Sequence, residues 1–583
     1  MNSKIILNDA FKSFTLDQDK ILPPEETVKR FREKLAGTDL NILDSTERID
    51  NGRLGIPVYF SNCGKDAIRL TGTKKQMGKG ATPQQAEASA VMELAERFSL
   101  FSFADDRKNF IIGKYADLKN EALSFEMIAK SVHDDSRDLE QAKKIFEKLP
   151  LKWTKAYNLT HNKEILVPFD WFFAINEFNG TSAGNCTEEA VLQGICEVVE
   201  RHVSSIISRG NINVPAIDAD TATDPMVVEM LKKYKTAGIK LYLSDFSLDL
   251  GISSVGVMAF DPASFPETSE IVWTAGTTPD PQKALSRALT ETAQLGGDFN
   301  TSANYVASGL PKFTAIEQAK FITKPSEIVA ISSLPDLSNN NIKIEIENCI
   351  SALSNKGMEA ILINIMHPVL EIPAFYSIIP GAHFRERSKG TSVGMFSTKL
   401  IMEKFPPPEA LARLMEADRI LPGKYYIKFY TGTCLANTGA PEKALTCFHQ
   451  ALDLEPNEQE LPTIYSYMGV CLKDLGMFKD ALAMLKKGER LDQERTDIYN
   501  LMGFCYFSLK EHEKAIECFK KNIRLDPGSA IDYANIASNY RDMGEKNKAI
   551  QYYTTALSID QTIEFARENL KRLTRENLKR LNG

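Results

Sequence analysis

One spacing governs the sequence after Gly423: Gly432, Gly469, Gly503 and Ala537 follow one another at 37, 34 and 34 residues. Twelve positions after each stands an alanine (Ala444, Ala481, Ala515, Ala549), and four further on a large side chain (Phe448, Leu485, Phe519, Tyr553). Tyr465, Tyr499 and Tyr533 stand four before the small residue, where the first copy has Lys428. Pro456 and Pro527 lie eight after the large residue in two copies. Small residues let two antiparallel helices touch, large ones fill the space between repeats, and proline stops a helix at a turn. The period therefore predicts about four stacked helical hairpins. A duplicated Arg-Glu-Asn-Leu-Lys-Arg-Leu at 567–573 and 575–581 reads as a charged helix capping the last of them.

The rest is a different kind of chain. At 583 residues there is room for three or four domains, and 43% hydrophobic with 25% charged residues suits a globular protein. A net charge of −7 argues against nucleic acid as the main partner, because phosphate-backbone binding shows as a basic face. The N-terminal Met1-Asn-Ser-Lys-Ile-Ile-Leu lacks the apolar core of a signal peptide, and the best apolar run, Ile165–Ile175, is short and carries Asp170. The expectation is a soluble, cytoplasmic protein without membrane contact. The nine cysteines form no C-x-x-C pair and read as reduced, mostly buried thiols, not zinc ligands or a disulfide frame.

Before Gly423, helices alternate with single strands. Pro24–Leu35, Gln84–Phe101, Pro225–Ala237, Gln282–Leu295 and Ile342–Lys356 read as helices. Gly55–Asn62, Ala67–Gly72, Trp153–Leu159, Ile165–Ala174, Lys240–Ser244, Ser253–Phe260, Ile271–Gly276, Ala360–Ile365 and Ala374–Ile379 read as strands. Such alternation predicts an α+β domain of mixed sheet and helix, ahead of the all-α solenoid. Met77-Gly-Lys-Gly-Ala-Thr-Pro83 reads as a glycine-rich turn and Gly180–Gly184 as another. The first is no P-loop: its glycines are wrongly spaced, and Gly80 stands where Ser or Thr should follow the lysine. Arg385–Pro408, with Pro406–Pro408, is the best linker candidate.

Three helices carry polar stripes. Ser89, Glu93, Glu96 and Arg97 stand at i, i+4, i+7 and i+8. From Asn185 to Arg201, polar residues recur as Asn185, Glu189, Gln193, Glu197, Glu200 and Arg201 on an otherwise apolar helix. Gln193, Glu197 and Glu200 fall within roughly 60° of one another there. Arg287, Glu291 and Gln294 repeat the i, i+4, i+7 step. One such helix alone reads as a solvated face with i, i+4 charge pairs. Two matching Glu-x-x-Glu-Arg helices about 100 residues apart read as two halves of one site. Glu93, Glu96, Glu197 and Glu200 would repel unless cations neutralise them, magnesium takes carboxylates together with substrate phosphates, and Arg97 and Arg201 offer bidentate forks to phosphate. The set suits phosphoryl transfer. A di-iron carboxylate bundle, the rival chemistry, needs Glu-x-x-His, and His202 comes one residue too late.

Three ordered motifs carry a family likeness: Ser89-x-x-x-Glu93-x-x-Glu96-Arg97; Gly184-Asn185-x-x-x-Glu189-x-x-x-Gln193-x-x-x-Glu197-x-x-Glu200-Arg201; and Ala284-Leu-x-Arg287-Ala-Leu-x-Glu291-x-x-Gln294. Over about residues 15–400 the chain resembles the YcaO family, and the later repeats resemble the tetratricopeptide (TPR) pattern. The likeness implies a YcaO-type ATP-binding catalytic domain at 1–400 (core about 55–385), a linker at 401–423, and TPR repeats with a capping helix at 424–583. It implies ATP and Mg2+ as cofactors, with Glu93, Glu96, Glu197 and Glu200 as catalytic metal carboxylates. Ser89, Arg97, Asn185, Glu189, Gln193, Arg201, Arg287 and Glu291 would contact the nucleotide, and so would Lys20 and Thr27 from the N-terminal segment.

The activity implied is phosphorylation of a backbone amide oxygen in a peptide or protein, followed by attack of a nucleophile on the carbonyl carbon. Azoline-forming members end in a proline-rich tail, whereas this sequence ends Leu-Asn-Gly583 after its repeats and carries no fused leader-binding domain. Thioamidation, or assistance to methylthiolation of a ribosomal protein, is therefore the expected role. The expected partners are a peptide or protein substrate, a sulfur-delivery or leader-binding protein, and whatever the repeats bind, including a second copy. The contrasting reading is a TPR adaptor whose ATP-binding domain is catalytically idle.

Overall fold

The computed structural model describes residues 4–301, 305, 309–384, 391–526 and 528–581, with side chains to Arg575. Within these, the chain divides into two compact units: residues up to 136 with 146–384 and 391–393, and residues 137–145 with 394 onward.

In the first unit β1 (Leu43–Arg48), β2 (Val58–Cys63) and β3 (Lys75–Lys79) form an antiparallel sheet in that order. Then come β4 (Ile111–Lys114), β5 (Pro150–Asn158), β6 (Lys163–Pro168), β7 (Thr181–Ala183), β8 (Ala216–Asp218), β9 (Lys240–Asp245), β10 (Ser254–Phe260), β11 (Val272–Thr277), β12 (Ile328–Ala330), β13 (Ile361–Asn364) and β14 (Ala374–Ile378). A six-stranded antiparallel sheet runs β4-β5-β13-β14-β7, with β6 also on β5. A five-stranded sheet runs β11-β10-β9-β8-β12, and there the β8–β12 pair is parallel.

Three helices join the sheets. Helix α1 (Pro83–Asp105) packs on the first sheet and reaches β7 and β14; α2 (Thr187–Gly210) lies between β7 and β14 on one side and β10 and β11 on the other; α3 (Pro281–Gly296) covers β10 and β11 and touches β3. Val191, Ile195, Val198, Val199, Val203 and Ile207 are fully buried along α2, so its apolar residues drive it into the centre of the unit. Close strand–helix approach needs glycine: a Cβ at Gly78 would stand 2.0 Å from the Ala90 nitrogen, and one at Gly276 2.3 Å from the Ala284 oxygen. The glycine-rich stretch at 77–80 therefore serves packing.

Several expectations fail locally. Ala67–Gly72 is not a strand: Lys65–Thr71 is a helix, and Gly72, at φ 71°, closes it with its N–H on the Ile68 carbonyl. A short apolar run carries no period that separates the two states. Residues 77–79 belong to β3 and 181–183 to β7, where turns were expected. The strand expected over Ile165–Ala174 stops at Pro168, and Phe169–Asn176 is a helix whose Asp170 accepts the Lys152 backbone N–H at 2.8 Å. The expected linker at 401–423 is largely helical: Val393–Lys404 ends in it, and Pro407–Ile420 starts at the proline cluster, a residue type suited to a first turn. Residues 385–390 of the linker candidate, and Pro527, lie outside the described residues.

The second unit stacks antiparallel helix pairs: Tyr425–Asn437 with Pro441–Asp453, Leu461–Asp474 with Phe478–Leu491, Thr496–Ser508 with His512–Leu525, and Ala530–Asp542 with Lys546–Ile559. A Cβ at Gly432, Gly469 or Gly503 would meet Phe448, Leu485 or Phe519 at 2.5–2.7 Å. The large residue thus sits over the glycine of its own hairpin. Phe448 also packs on Tyr467 of the next pair, at 5.9 Å between ring centroids. From Glu564–Leu581, Ala566 and Leu573 are buried against the last pair around Tyr553.

Candidate functional site

The three polar stripes meet in the first unit. Each of the three helices is started by a cap: Thr82 Oγ1 accepts the Gln85 N–H, Cys186 Sγ the Glu189 N–H, and Asp280 the Gln282 N–H. Burial pushes the Cys186 thiol up to about 12, so it is a neutral cap and no nucleophile at neutral pH.

A cleft of about 810 Å³ lies where α1, α2 and the segment before Pro24–Ala36 meet. Lys20 and Thr27 line it from the N-terminal side, Ser89, Glu93 and Glu96 from α1, and Asn185, Glu189, Gln193 and Arg287 from the other side. A second cavity of about 510 Å³ shares Lys20, Glu189, Gln193 and Arg287 with it. Arg287 Nη1 donates to Gln193 Oε1 at 2.8 Å, which makes that pair part of both walls.

Arg97, Glu197, Glu200, Arg201 and Glu291 are not lining residues of that cleft; Arg97 and Glu291 are tied to its wall, and Glu197 to Arg201. Arg97 donates to Glu93 Oε1 at 2.8 Å, lies 3.1 Å from Glu96 Oε1 and 4.2 Å over the Phe178 ring. Thr181 Oγ1 donates to Glu96 at 2.6 Å. Glu197 accepts the Gly180 N–H at 3.3 Å and lies 3.7 Å from Arg201 Nη2. Lys79 Nζ donates to Glu291 at 2.5 Å. Glu200 is 5% exposed, and its Oε2 has no hydrogen-bond partner. Gln294 is half-buried and takes no part in these ties.

Burial dominates the electrostatics. It drives Glu96 well above the usual carboxylate range against Arg97, with Glu93 and Glu197 adding to the rise. It raises Glu197 against Arg201 and Arg97, and it raises Glu200 to about 7, where Glu291 adds to the rise while Arg287, Arg201 and Lys79 oppose it. Glu291 faces the same burial, but Lys79, with Arg201 and Arg287, holds it below its ordinary value. Five carboxylates (Glu93, Glu96, Glu197, Glu200, Glu291) therefore share four cations (Lys79, Arg97, Arg201, Arg287), and Glu200 is the carboxylate left over.

Among the described residues, no three His, Cys, Asp or Glu side chains are gathered into a ready-made metal cage. The physical reason is that Glu93 and Glu96 turn to Arg97, and Glu197 to Arg201. The donor set still fits magnesium, which takes one or two carboxylates and leaves the remaining positions to phosphate and water. The orphaned Glu200 oxygen is the atom with an unmet need for a cation.

Glu189 lines the cleft with both oxygens engaged: Oε1 accepts the Ile21 N–H at 2.6 Å, and Oε2 accepts the Asn185 N–H and Nδ2 at 2.9 and 3.0 Å. It orients Asn185 and fixes the chain beside Lys20. Sequence reasoning missed Lys79 and Thr181. Both stand on short strands, where polar periodicity says nothing of function; the one signal was a lysine between two glycines directly ahead of the first motif.

Comparison with known proteins gives the family. Residues 77–383 match the family model described as YcaO cyclodehydratase, ATP- and Mg2+-binding, and residues 496–529 and 533–563 match tetratricopeptide repeat models. An uncharacterized protein of Methanothermobacter thermautotrophicus is 28% identical over 382 residues, covering 61% of this chain and 93% of its own length. The ribosomal protein S12 methylthiotransferase accessory factor YcaO of Escherichia coli is 29% identical over 301 residues, 47% of this chain and 48% of that one. The structure of YcaO from Methanopyrus kandleri bound with AMPPCP and Mg2+ shares the fold at a TM-score of 0.50, with 20% identity over 64% of this chain and 95% of that one. A heterocyclase in complex with substrate and cofactor superposes at a TM-score of 0.54, with 21% identity over 65% of this chain and 54% of its own. No helix among the described residues is long and apolar enough to cross a membrane. With its model match spanning just over half the sequence, the chain belongs to the ATP- and Mg2+-binding YcaO family and carries TPR repeats behind that domain.

Proposed function

We propose that this chain uses ATP and Mg2+ to activate a backbone amide of a peptide or protein for attack by a nucleophile. The modification would be a thioamidation, or the chain would assist methylthiolation of a ribosomal protein, the role named for the E. coli relative. The observation that carries the reading is the buried Glu200 oxygen without a partner, set among four further carboxylates and four cations. An oxygen left unsatisfied in a buried site costs about 1–3 kcal/mol, so such an arrangement points to a ligand that supplies the missing charge.

In this reading Glu93, Glu96, Glu197 and Glu200 hold the metal. Arg97, Arg201 and Arg287 turn from their glutamates and glutamine to phosphate oxygens, and Lys79 remains with Glu291. Lys20, Thr27, Ser89, Asn185 and Gln193 line the cleft from which the nucleotide is held, while Glu189 keeps Asn185 in place. Bound there, ATP supplies the phosphoryl group and Mg2+ the charge neutralisation that together make an amide oxygen a leaving group. The chain's own contribution is positioning, a low-dielectric setting that strengthens each of these charges, and exclusion of water.

The test is Mg2+-dependent release of ADP that rises with a candidate substrate peptide and falls to background in Glu197→Gln. Full turnover in that variant sinks the site assignment. Nucleotide binding without any release, across substrates and partners, would favour the idle-domain adaptor instead.

A further inference from the structure

We propose that the groove across the second, third and fourth helical hairpins binds a peptide segment through a lysine or arginine side chain. The groove holds about 1330 Å³ between the first helices of those hairpins, with Tyr467, Leu501 and Ile531 among its apolar lining. Its charged lining is three aspartates, Asp497, Asp526 and Asp532, against one arginine, Arg495. That arginine is already engaged: its Nε and Nη2 each donate to Asp497 at 2.8 Å, and its Nη1 donates to Thr463 Oγ1 at 2.9 Å. Two negative charges are left to face an incoming chain.

Asp532 is the focus. It is 3% exposed and accepts hydrogen bonds from Ser529 Oγ at 2.6 Å, Asn500 Nδ2 at 3.2 Å and Asn522 Nδ2 at 3.4 Å. All three donors are neutral, and burial raises the Asp532 pKa above its ordinary value. A carboxylate only accepts, so the amide nitrogen of Asn522 must face it, and that orientation turns the amide oxygen away. Asn522 is itself 2% exposed and lines the groove, and its Oδ1 has no hydrogen-bond partner. A buried acceptor without a donor beside an uncompensated carboxylate calls for a ligand that donates several hydrogen bonds and carries positive charge. Lysine and arginine side chains do both, and their aliphatic stems match the apolar lining. An acidic segment would set like charge against Asp532 and leave Asn522 unmatched. The inference stands apart from the amide-activating reading, since nothing in it involves nucleotide.

Full-length protein titrated into fluorescein-labelled peptides of alternating lysine and alanine, glutamine and alanine, or glutamate and alanine, read by anisotropy, tests it. Only the lysine peptide should bind. Asp532→Asn and Asn522→Leu should each weaken it at least about tenfold, as loss of a buried charge partner does. Because those positions are buried, Ile531→Lys at the rim, where the side chain is 43% exposed, supplies a variant with far less packing to lose, and it should also weaken binding about tenfold by placing a cation in the groove. Asp480→Asn, on the exposed part of Phe478–Leu491, should change nothing. Equal binding of lysine and glutamate peptides, no binding of the lysine peptide, or full affinity in Ile531→Lys overturns the proposal.

Discussion

Replacing Glu200 by glutamine should stabilise the metal-free protein at alkaline pH and do far less in acid. Glu200 is buried with one oxygen unsatisfied, and its carboxyl holds a proton up to about 7, against an ordinary 4.5. A folded pKa above the unfolded one means that folded protein keeps a proton the unfolded chain releases. The resulting stability is fully present below 4.5 and is lost as pH rises through about 7. Integrating proton uptake between those two values gives a loss of about 1 kcal/mol at pH 5 and about 3 kcal/mol at pH 8, a difference near 2.5 kcal/mol that glutamine does not suffer. Trp153, Trp171 and Trp273 are the chain's three tryptophans, and all are buried in the first unit. Urea titration followed by tryptophan fluorescence in chelator therefore reads that unit without interference from the repeats. The stability of Glu200→Gln minus wild type should rise by about 2 kcal/mol between pH 5 and pH 8. A difference that stays flat, or falls, across that range refutes the assignment of Glu200 as the uncompensated carboxylate.

The same titration tests the ion pair behind it. Lys79→Ala should cost about 3 kcal/mol by stranding the mostly buried Glu291, and Lys79→Ala with Glu291→Gln should recover most of that; a cost below about 1 kcal/mol for the single change would show the pair to be solvated. Magnesium binding to the nucleotide-loaded protein should release a proton below about pH 7, with affinity weakening as pH falls through that value. Calorimetry in buffers of different protonation enthalpy reads this directly, and absence of proton release at pH 6 would contradict it. Gly78→Ala should cost about 3 kcal/mol or more, since its Cβ would meet α1 backbone at 2.0 Å. Gly72→Ala, left-handed but in open space, should cost only about 1 kcal/mol; equal costs for the two would dismiss the close-approach argument.

What was legible in the sequence follows from which contacts are local. In the repeats, Gly432, Gly469 and Gly503 meet Phe448, Leu485 and Phe519, always sixteen residues on. The packing rule is written at one fixed spacing, so the architecture can be read from the period. The first unit has no such rule. β7 is three residues long and earns its place by pairing with β14, nearly two hundred residues away, so Thr181–Ala183 reads as a turn until its partner is known. Lys65–Thr71 and Phe169–Asn176 fail for a related reason: each is a short stretch without a clear period, bounded by Gly72 after the one and Pro168 before the other.

The site divides along the same line. Its three helices were legible because a stripe at i, i+4, i+7 on an apolar helix leaves a face that packing cannot explain. The strand residues that complete it, Lys79 and Thr181, were not. Yet their chemistry follows from the helices. Glu93 with Arg97, and Glu197 with Arg201, stand at i, i+4, so each arginine neutralises a glutamate of its own helix before anything binds. With Glu96 also on Arg97, and Glu200 and Glu291 facing the same core, those two arginines and Arg287 cannot balance five carboxylates. A further cation was required from outside the motifs, and Lys79 supplies it to Glu291. One carboxylate, Glu200, still remains without an ion-pair partner, and burial raises it as it raises Glu96 beside Arg97. A wall of this composition folds without its ligand because its charges are paired internally. In the proposed function, magnesium and phosphate would exchange into the same pairs at small electrostatic cost, carboxylate to metal and guanidinium to phosphate. On the proposed reading, that exchange would account for a nucleotide site built on the faces of helices without a glycine-rich phosphate loop.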